Sequence, residues 1–114
     1  VVFWDLYSPR NNPTLWTMSA FAKLKAHCAP RCTLFTYSQA TASRAALLLA
    51  GWNVGFGEAV GEKAHTTTAA LRLDDLASPL DARWLERLAR SSAPWPSDAP
   101  VDALDLVRAS AQFR

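Results

Sequence analysis

This sequence has few of the features that mark membrane, secreted or disulfide-rich proteins. No apolar run approaches the roughly 20 residues that a membrane-spanning helix needs. No basic segment followed by an apolar stretch and a cleavage site indicates a secretory leader. Only two cysteines occur among the 114 residues, too few for a disulfide framework. We therefore expect a protein of the reducing cytoplasm that makes no membrane contact.

The two cysteines, Cys28 and Cys32, do not by themselves predict a metal centre. A structural zinc site needs four ligands, and the only histidines are His27, beside the first cysteine, and His65, far along the chain. A C-x-x-x-C spacing without a second pair is more typical of small, partly buried side chains. We expect no metal in this chain.

Charge of either sign is also sparse. Charged residues make up 19% of the sequence and hydrophobic residues 50%, a composition typical of one globular domain. The net charge is +2, of which residues 1–72 carry +4 and residues 73–114 carry −2. A mildly basic first part is compatible with a phosphate-bearing partner. Because no run of Lys or Arg occurs, an ordinary solvated surface is the simpler interpretation.

What the sequence does contain is an alternation of short strands and helices. Apolar periodicity and turn residues predict a buried strand over 1–4, a helix that ends before Pro30, a strand over 32–37 and a helix that ends at Gly51. Two strands that are each followed by a helix pair in parallel. Residues 52–57 and 65–73 then alternate as strands, and the short loop between them requires an antiparallel hairpin.

The last third of the sequence is predicted to be helical. After Pro79, one helix face carries Leu80, Trp84, Leu85 and Leu88. A connector with three prolines leads to a last helix over 102–113, whose apolar stripe is Leu104, Val107 and Ala111. Packing is the simpler interpretation of both helices. We therefore divide the chain into an α/β unit, 1–73, and a helical extension, 74–114, packed on it.

A candidate site lies just after the first strand. Asp5 stands where the buried strand ends, and a stiff loop with Pro9 and Pro13 leads from it to the first helix. Open α/β sheets bind ligands outside the carboxyl ends of their strands. Tyr37 and Ser38 end the neighbouring strand and would line the same crevice. The structural alternatives are that Asp5 caps the following turn and that Ser38 caps the second helix.

The same stretch resembles a family signature. Residues 5–16, Asp-Leu-Tyr-Ser-Pro-x-x-Asn-Pro-x-x-Trp, resemble without a gap the Asp-Gly-Phe-Ala/Ser-Pro-x-x-Asn-Pro-x-x-Trp signature of the MnmC-type tRNA methyltransferases. Residues 33–38 resemble the family's Thr-Leu-Ala-Thr-Tyr-like strand, and Arg44 with the Leu-Ala-Gly-Trp run resembles the next helix and its exit. The similarity covers about residues 1–70. It implies an α/β fold, the second half of a Rossmann-like methyltransferase sheet plus C-terminal helices.

The resemblance also implies an activity, S-adenosylmethionine-dependent methylation of the aminomethyl group on a thiolated wobble uridine of tRNA. Asp5 would accept the proton of the amine, and Tyr7 would stack against the base or the sulfonium; both are the candidate catalytic and cofactor-binding residues. The candidate substrate-binding residues are Pro9, Asn12, Tyr37, Ser38, Lys63 and His65. Packing is the alternative for Tyr7, and an ordinary loop position is the alternative for Lys63 and His65.

The sequence departs from the family pattern in three places. Leu6 replaces a glycine, which restricts the backbone there. The stretch 57–66 is close to neutral where the family is strongly basic, so it should contact RNA phosphate more weakly. No Gly-x-Gly turn follows a first strand, since Gly55-x-Gly57 lies in the hairpin.

These departures suggest that the chain is only part of an active site. Because the main cofactor loop is absent and the sequence opens in mid-strand without Met, we expect the carboxyl-terminal part of a longer protein. Alone it should be inactive, and a missing N-terminal half or a partner chain should cover the edge of the first strand. Two other functions stay open: methylation of a different amine, and a non-catalytic scaffold.

Overall fold

The computed structural model describes residues 2–3, 16–36, 41–59, 65–90 and 95–113. Strands and helices follow one another in the order β1 (Val2–Phe3), α1 (Met18–Ala26), β2 (Thr33–Thr36), α2 (Thr41–Leu49), β3 (Asn53–Ala59), β4 (His65–Ala70), α3 (Ala82–Arg90) and α4 (Ala103–Arg108). Two 3₁₀ turns add Leu73–Asp75 and Ala111–Phe113. The predicted α/β fold class is confirmed.

The four strands form one sheet in the order β1-β2-β4-β3. β1 is parallel to β2, with Val2 opposite Leu34, and β4 is antiparallel to both β2 and β3. β1, β2 and β3 therefore run in the same direction. The chain leaves all three strands at one edge of the sheet, which we call the carboxyl edge.

Two side chains cap the N-terminus of α1, one adjacent in the sequence and one far along the chain. The Thr17 hydroxyl accepts a hydrogen bond from the backbone N–H of Ala20 at 3.1 Å. The Asp98 carboxylate, from the proline-rich connector, accepts the backbone N–H groups of Met18 and Ser19 at 2.9 Å each. The second cap lies 80 residues away in the sequence, and no local pattern indicates it.

α2 is the central helix, because every residue from 43 to 48 is buried. It ends at Leu49, and Gly51, two residues later, has a φ of +97°, the left-handed conformation expected of a glycine after a helix. Trp52 follows, and its indole N–H donates to the carbonyl oxygen of Phe21 at 3.1 Å. This bond ties α2 to α1 through the core.

The core lies between the sheet and the helices. Its largest fully buried side chains include Phe21, Leu34, Leu47 and Leu80. Trp16 is 5% exposed and meets Phe21 edge to face with the ring centroids 6.2 Å apart. An aromatic pair of this geometry contributes stability beyond the area it buries.

A short segment after β4 extends the sheet beyond β3. The backbone N–H of Phe56 donates to the Ser78 carbonyl, and that of Leu80 donates to the Val54 carbonyl, both at 2.9 Å. A Cβ at Gly55 would lie 2.7 Å from the Ser78 carbonyl oxygen, so only glycine allows this approach. Part of the outer edge of β3 is thereby paired.

The C-terminal helices follow the predicted pattern with one difference. α3 buries Trp84 and Leu88, as expected. The predicted last helix, 102–113, is too long, since α4 ends at Arg108 and a 3₁₀ turn over Ala111–Phe113 follows. The break allows the Phe113 ring to stack on that of Trp84 at 6.2 Å between centroids.

Two further observations bear on the classes of protein considered above. None of the helices in the described ranges is long and apolar enough to cross a bilayer. Among the described residues, no group of three His, Cys, Asp or Glu side chains is placed to hold a metal ion. Cys28 and Cys32 are free thiols, both half-buried, with their sulfur atoms 2.9 Å apart.

Candidate functional site

Most of the predicted site residues lie outside the described residues. These are Asp5, Tyr7, Pro9, Asn12, Tyr37, Ser38 and Lys63. His65 is the first residue of β4, where its backbone is opposite Ala59, but its side chain is outside the described set. The roles of these residues stay predictions. The described structure gives the strands that precede the segments in which these residues lie.

That framework directs the segments to one edge. The segment with Asp5 and Tyr7 follows β1, and the segment with Tyr37 and Ser38 follows β2 directly. The segment with Lys63 joins β3 to β4. Because β1, β2 and β3 run in the same direction, all three segments start at the carboxyl edge, where open α/β sheets bind ligands.

A buried arginine lies under this edge. Arg44, on α2, is 7% exposed. Its Nε donates to the Thr67 hydroxyl at 2.9 Å, and its Nη2 lies 3.4 Å from the Thr66 carbonyl oxygen. The guanidinium carbon is 5.0 Å from the centroid of the Phe56 ring, within the range of a cation–π contact. One side chain therefore clamps α2 to both strands of the hairpin.

Thr67 and Phe56, two of the residues that Arg44 contacts, lie on a single row of the sheet. Thr36, the last residue of β2, is opposite Thr67, and Thr67 is opposite Phe56. Thr36, Thr66, Thr67 and Ser43 are all buried polar residues. Thr36, one of these residues, is the last described residue before Tyr37 and Ser38, so the segment that was predicted to line the crevice departs from this buried polar group.

The charge of Arg44 persists in this environment. Burial lowers the pKa of Arg44 from its ordinary value, and the like charge of Arg87 lowers it further. An arginine side chain nevertheless stays protonated at all physiological pH values. A fixed positive charge is therefore present beneath the carboxyl edge.

Sequence reasoning gave Arg44 no functional weight. It named the residue only as a point of resemblance, although one signal was available. Arg44 is the one charged residue in the stretch 41–54 and shares a helix face with Leu47 and Leu48. A cation within an apolar stripe has to be buried, and a buried cation needs specific partners.

Comparison with known proteins gives a consistent set of relatives. The S-adenosyl-L-methionine-dependent methyltransferase family matches residues 1–72. A tRNA 5-methylaminomethyl-2-thiouridine biosynthesis bifunctional protein, MnmC, from Hahella chejuensis is 32% identical over 77 residues, 68% of this chain. The protein of the same name from Ectopseudomonas mendocina is 34% identical over 85 residues, 75% of this chain.

The fold comparison extends to nearly the whole chain. The crystal structure of MnmC2 from Aquifex aeolicus matches with a TM-score of 0.71 and 26% sequence identity, covering 98% of this chain and 38% of the solved one. The chain spans only 12% and 13% of the lengths of the two MnmC relatives. The similarity thus concerns one part of those larger proteins.

Proposed function

The chain belongs to the S-adenosyl-L-methionine-dependent methyltransferase family that matches its first 72 residues, and on that premise we propose that it forms part of an enzyme that methylates an amine of tRNA. The observation that carries the proposal is the gap-free motif over residues 5–16, which lies inside the matched region. The printed names of the MnmC relatives support the choice of tRNA. Such a role belongs in the cytoplasm.

The proposed acceptor is the aminomethyl group of a thiolated wobble uridine. The names of both MnmC relatives specify synthesis of 5-methylaminomethyl-2-thiouridine, whose last group is an N-methylated aminomethyl. An alkylamine is mostly protonated at neutral pH and cannot act as a nucleophile in that state. The acceptor side of the site must therefore remove a proton from nitrogen.

Asp5 is the residue that we assign to this proton. It follows the parallel strand β1 at the carboxyl edge, and a carboxylate accepts a proton from an ammonium group within hydrogen-bond reach. Tyr7 would form the wall that holds the uracil ring, with Pro9 and Asn12 fixing the course of the loop. Tyr37, Ser38, Lys63 and His65 would contact the nucleotide from the neighbouring segments.

S-adenosylmethionine, when bound, supplies an electrophilic methyl group, but the described residues do not offer the glycine turn that usually cradles it. The only Gly-x-Gly sequence is Gly55–Gly57. The open side of Gly55 faces the Ser78 carbonyl, and that of Gly57 faces the Thr66 hydroxyl. Both glycines thus serve packing within the hairpin, and this chain supplies the acceptor side of the site.

The outer side of β1 supports a shared site. β1 is the terminal strand of the sheet, and no strand lies beyond it within the described residues. A parallel strand is usually buried between neighbours. We propose that another part of the methyltransferase, or a partner chain, pairs with β1 and carries the cofactor loop.

The test is methyl transfer by the product of the complete reading frame that encodes this chain. With methyl-labelled S-adenosylmethionine and tRNA that bears 5-aminomethyl-2-thiouridine, label should enter the wobble nucleoside and raise its mass by one methylene. Asp5→Asn should lower kcat by roughly 10²-fold or more, whereas Asp102→Asn, an exposed acid on the C-terminal region, should not. The 114-residue chain alone should be inactive. If the product of the complete reading frame left tRNA unlabelled, the proposal would be contradicted.

A second candidate is methylation of a different amine. The stretch 57–66 is close to neutral, whereas the resembling family has a strongly basic loop there. Transfer to a small amine with no transfer to tRNA would favour this candidate. Absence of transfer to any amine would favour a non-catalytic scaffold.

A further inference from the structure

Helix α3 carries three arginines on one narrow flank. Arg83, Arg87 and Arg90 are spaced by four and three residues, which places them within an arc of roughly 60° on an α-helix. All three side chains are exposed, while Trp84 and Leu88 on another side are buried. We call this surface the arginine flank.

The arginine flank has no ion pair within the described residues. In the part of the chain that the structure describes, ion pairs join Arg31 to Asp75, Arg72 to Asp74 and Arg108 to Asp105, and none involves the flank. Neighbouring like charges on a helix face destabilise it. An external anion would relieve this repulsion.

Three acids of the C-terminal region have their contacts away from the arginine flank. Asp75 pairs with Arg31 at 2.6 Å, and Asp98 caps the start of α1. Asp81 accepts the backbone N–H of Trp84 at 3.1 Å, at the start of α3. Glu86 is the only acid within α3. Residues 73–114 have a net negative charge, but three of their five basic residues lie together on the arginine flank.

α3 follows the segment that pairs with the outer edge of β3. Residues 78–80 run beside β3 from Phe56 to Val54, away from the carboxyl edge. α3 then begins at Ala82, and its buried side chains, Trp84 and Leu88, belong to the same hydrophobic core as Val54. The core contacts hold α3 in place and leave the arginine flank exposed.

We propose that the arginine flank of α3 binds RNA phosphate groups and so helps to hold tRNA on the protein. This inference rests on the proposed function and adds to it a surface outside the matched residues 1–72. Guanidinium groups bind phosphate with two parallel hydrogen bonds. Contacts of this kind position the nucleic acid without reading its sequence. The flank would thus compensate for the near-neutral hairpin loop.

The experiment measures binding of an unmodified tRNA transcript to the product of the complete reading frame by fluorescence anisotropy. The flank variant is Arg83→Gln, Arg87→Gln and Arg90→Gln combined. The control variant, Lys23→Gln, Lys25→Gln and Arg72→Gln combined, removes the same charge from exposed positions outside α3. Far-UV circular dichroism establishes that both are folded. The flank variant should bind roughly tenfold more weakly or worse, and its logarithmic salt slope should fall by about 2 to 3.

Each outcome decides between the alternatives. Equal losses in both variants, or no loss in the flank variant, would overturn the proposal. Binding of phosphatidylserine vesicles in preference to the transcript would also overturn it, by assigning the flank to a membrane surface.

The docking surface can fail independently of the proposed function. Methyl transfer to a short modified anticodon stem-loop, measured at saturation with the product of the complete reading frame, tests the function alone. Methylation together with equal binding by both variants would refute only the docking surface. Flank-dependent binding without methylation would refute only the function.

Discussion

The side-chain amide of Gln112 pairs with both backbone groups of Val54. The Val54 N–H donates to Oε1 at 2.7 Å, and Nε2 donates to the Val54 carbonyl at 2.9 Å. The same Nε2 lies 3.1 Å from the Leu80 carbonyl. A residue from the last turn of the chain thus satisfies backbone groups that a further strand would otherwise satisfy, and joins the C-terminal region to β3.

Replacing Gln112 should therefore weaken the fold. Gln112→Ala leaves the Val54 N–H without this partner, and we expect a loss of about 2 kcal/mol in the free energy of unfolding, measured with urea. Leu106→Ala is the control, since Leu106 is 46% exposed and its removal should change stability by less than about 0.5 kcal/mol. Equal effects of the two changes would show that the amide pairing contributes no stability.

Gly55 should be sensitive to the addition of a single methyl group. Gly55→Ala would place a Cβ 2.7 Å from the Ser78 carbonyl oxygen, and either β3 or segment 78–80 would have to move. We expect destabilisation of about 1–3 kcal/mol. Ser78→Ala keeps the backbone carbonyl and should be close to neutral. Thermal unfolding of both variants tests this, and an unchanged melting temperature for Gly55→Ala would refute the close approach.

Sequence periodicity predicted the order of elements, because the apolar spacing of strands and helices is a local property. The parallel pairing of β1 with β2 and the antiparallel hairpin both followed from the lengths of the connections. The contacts of Asp98 with Met18 and of Gln112 with Val54 were missed, since they join residues 80 and 58 positions apart. No local pattern encodes such pairs.

In the candidate site, too, the features that depend on local sequence were predicted and the long-range contacts were missed. The sequence placed the segments after β1 and β2 at one edge, and the strand directions agree. It did not foresee that Arg44 would contact Thr67 and Phe56, which depends on how α2 packs on the hairpin. The early end of α4 was missed for a similar reason, because the stacking of Phe113 on Trp84 is a tertiary contact.

The thiol of Cys28 should titrate late. Burial raises the pKa of Cys28 from 9.0 to about 11, with the neighbouring Cys32 thiol as the second cause. Both states of the chain hold the thiol proton below pH 9, whereas between about pH 9 and 11 only the folded state keeps it. Stability should therefore fall across that window relative to Cys28→Ser. Iodoacetamide should label Cys28 slowly at pH 8, and rapid labelling there would contradict this expectation.

Arg44 should support both the fold and the site above it. Arg44→Met removes the hydrogen bond to Thr67 and the cation over Phe56, and we expect a loss of about 2 kcal/mol in the free energy of unfolding. Arg44→Lys keeps the charge but loses the planar fork, so it should recover only part of that stability. In the product of the complete reading frame, both variants should lower kcat for tRNA methylation more than Arg72→Gln, because the hairpin and the segment after Thr36 lose their common support. If Arg44→Met matched the wild type in urea unfolding and in kcat, the clamp between α2 and the hairpin would have no role in either.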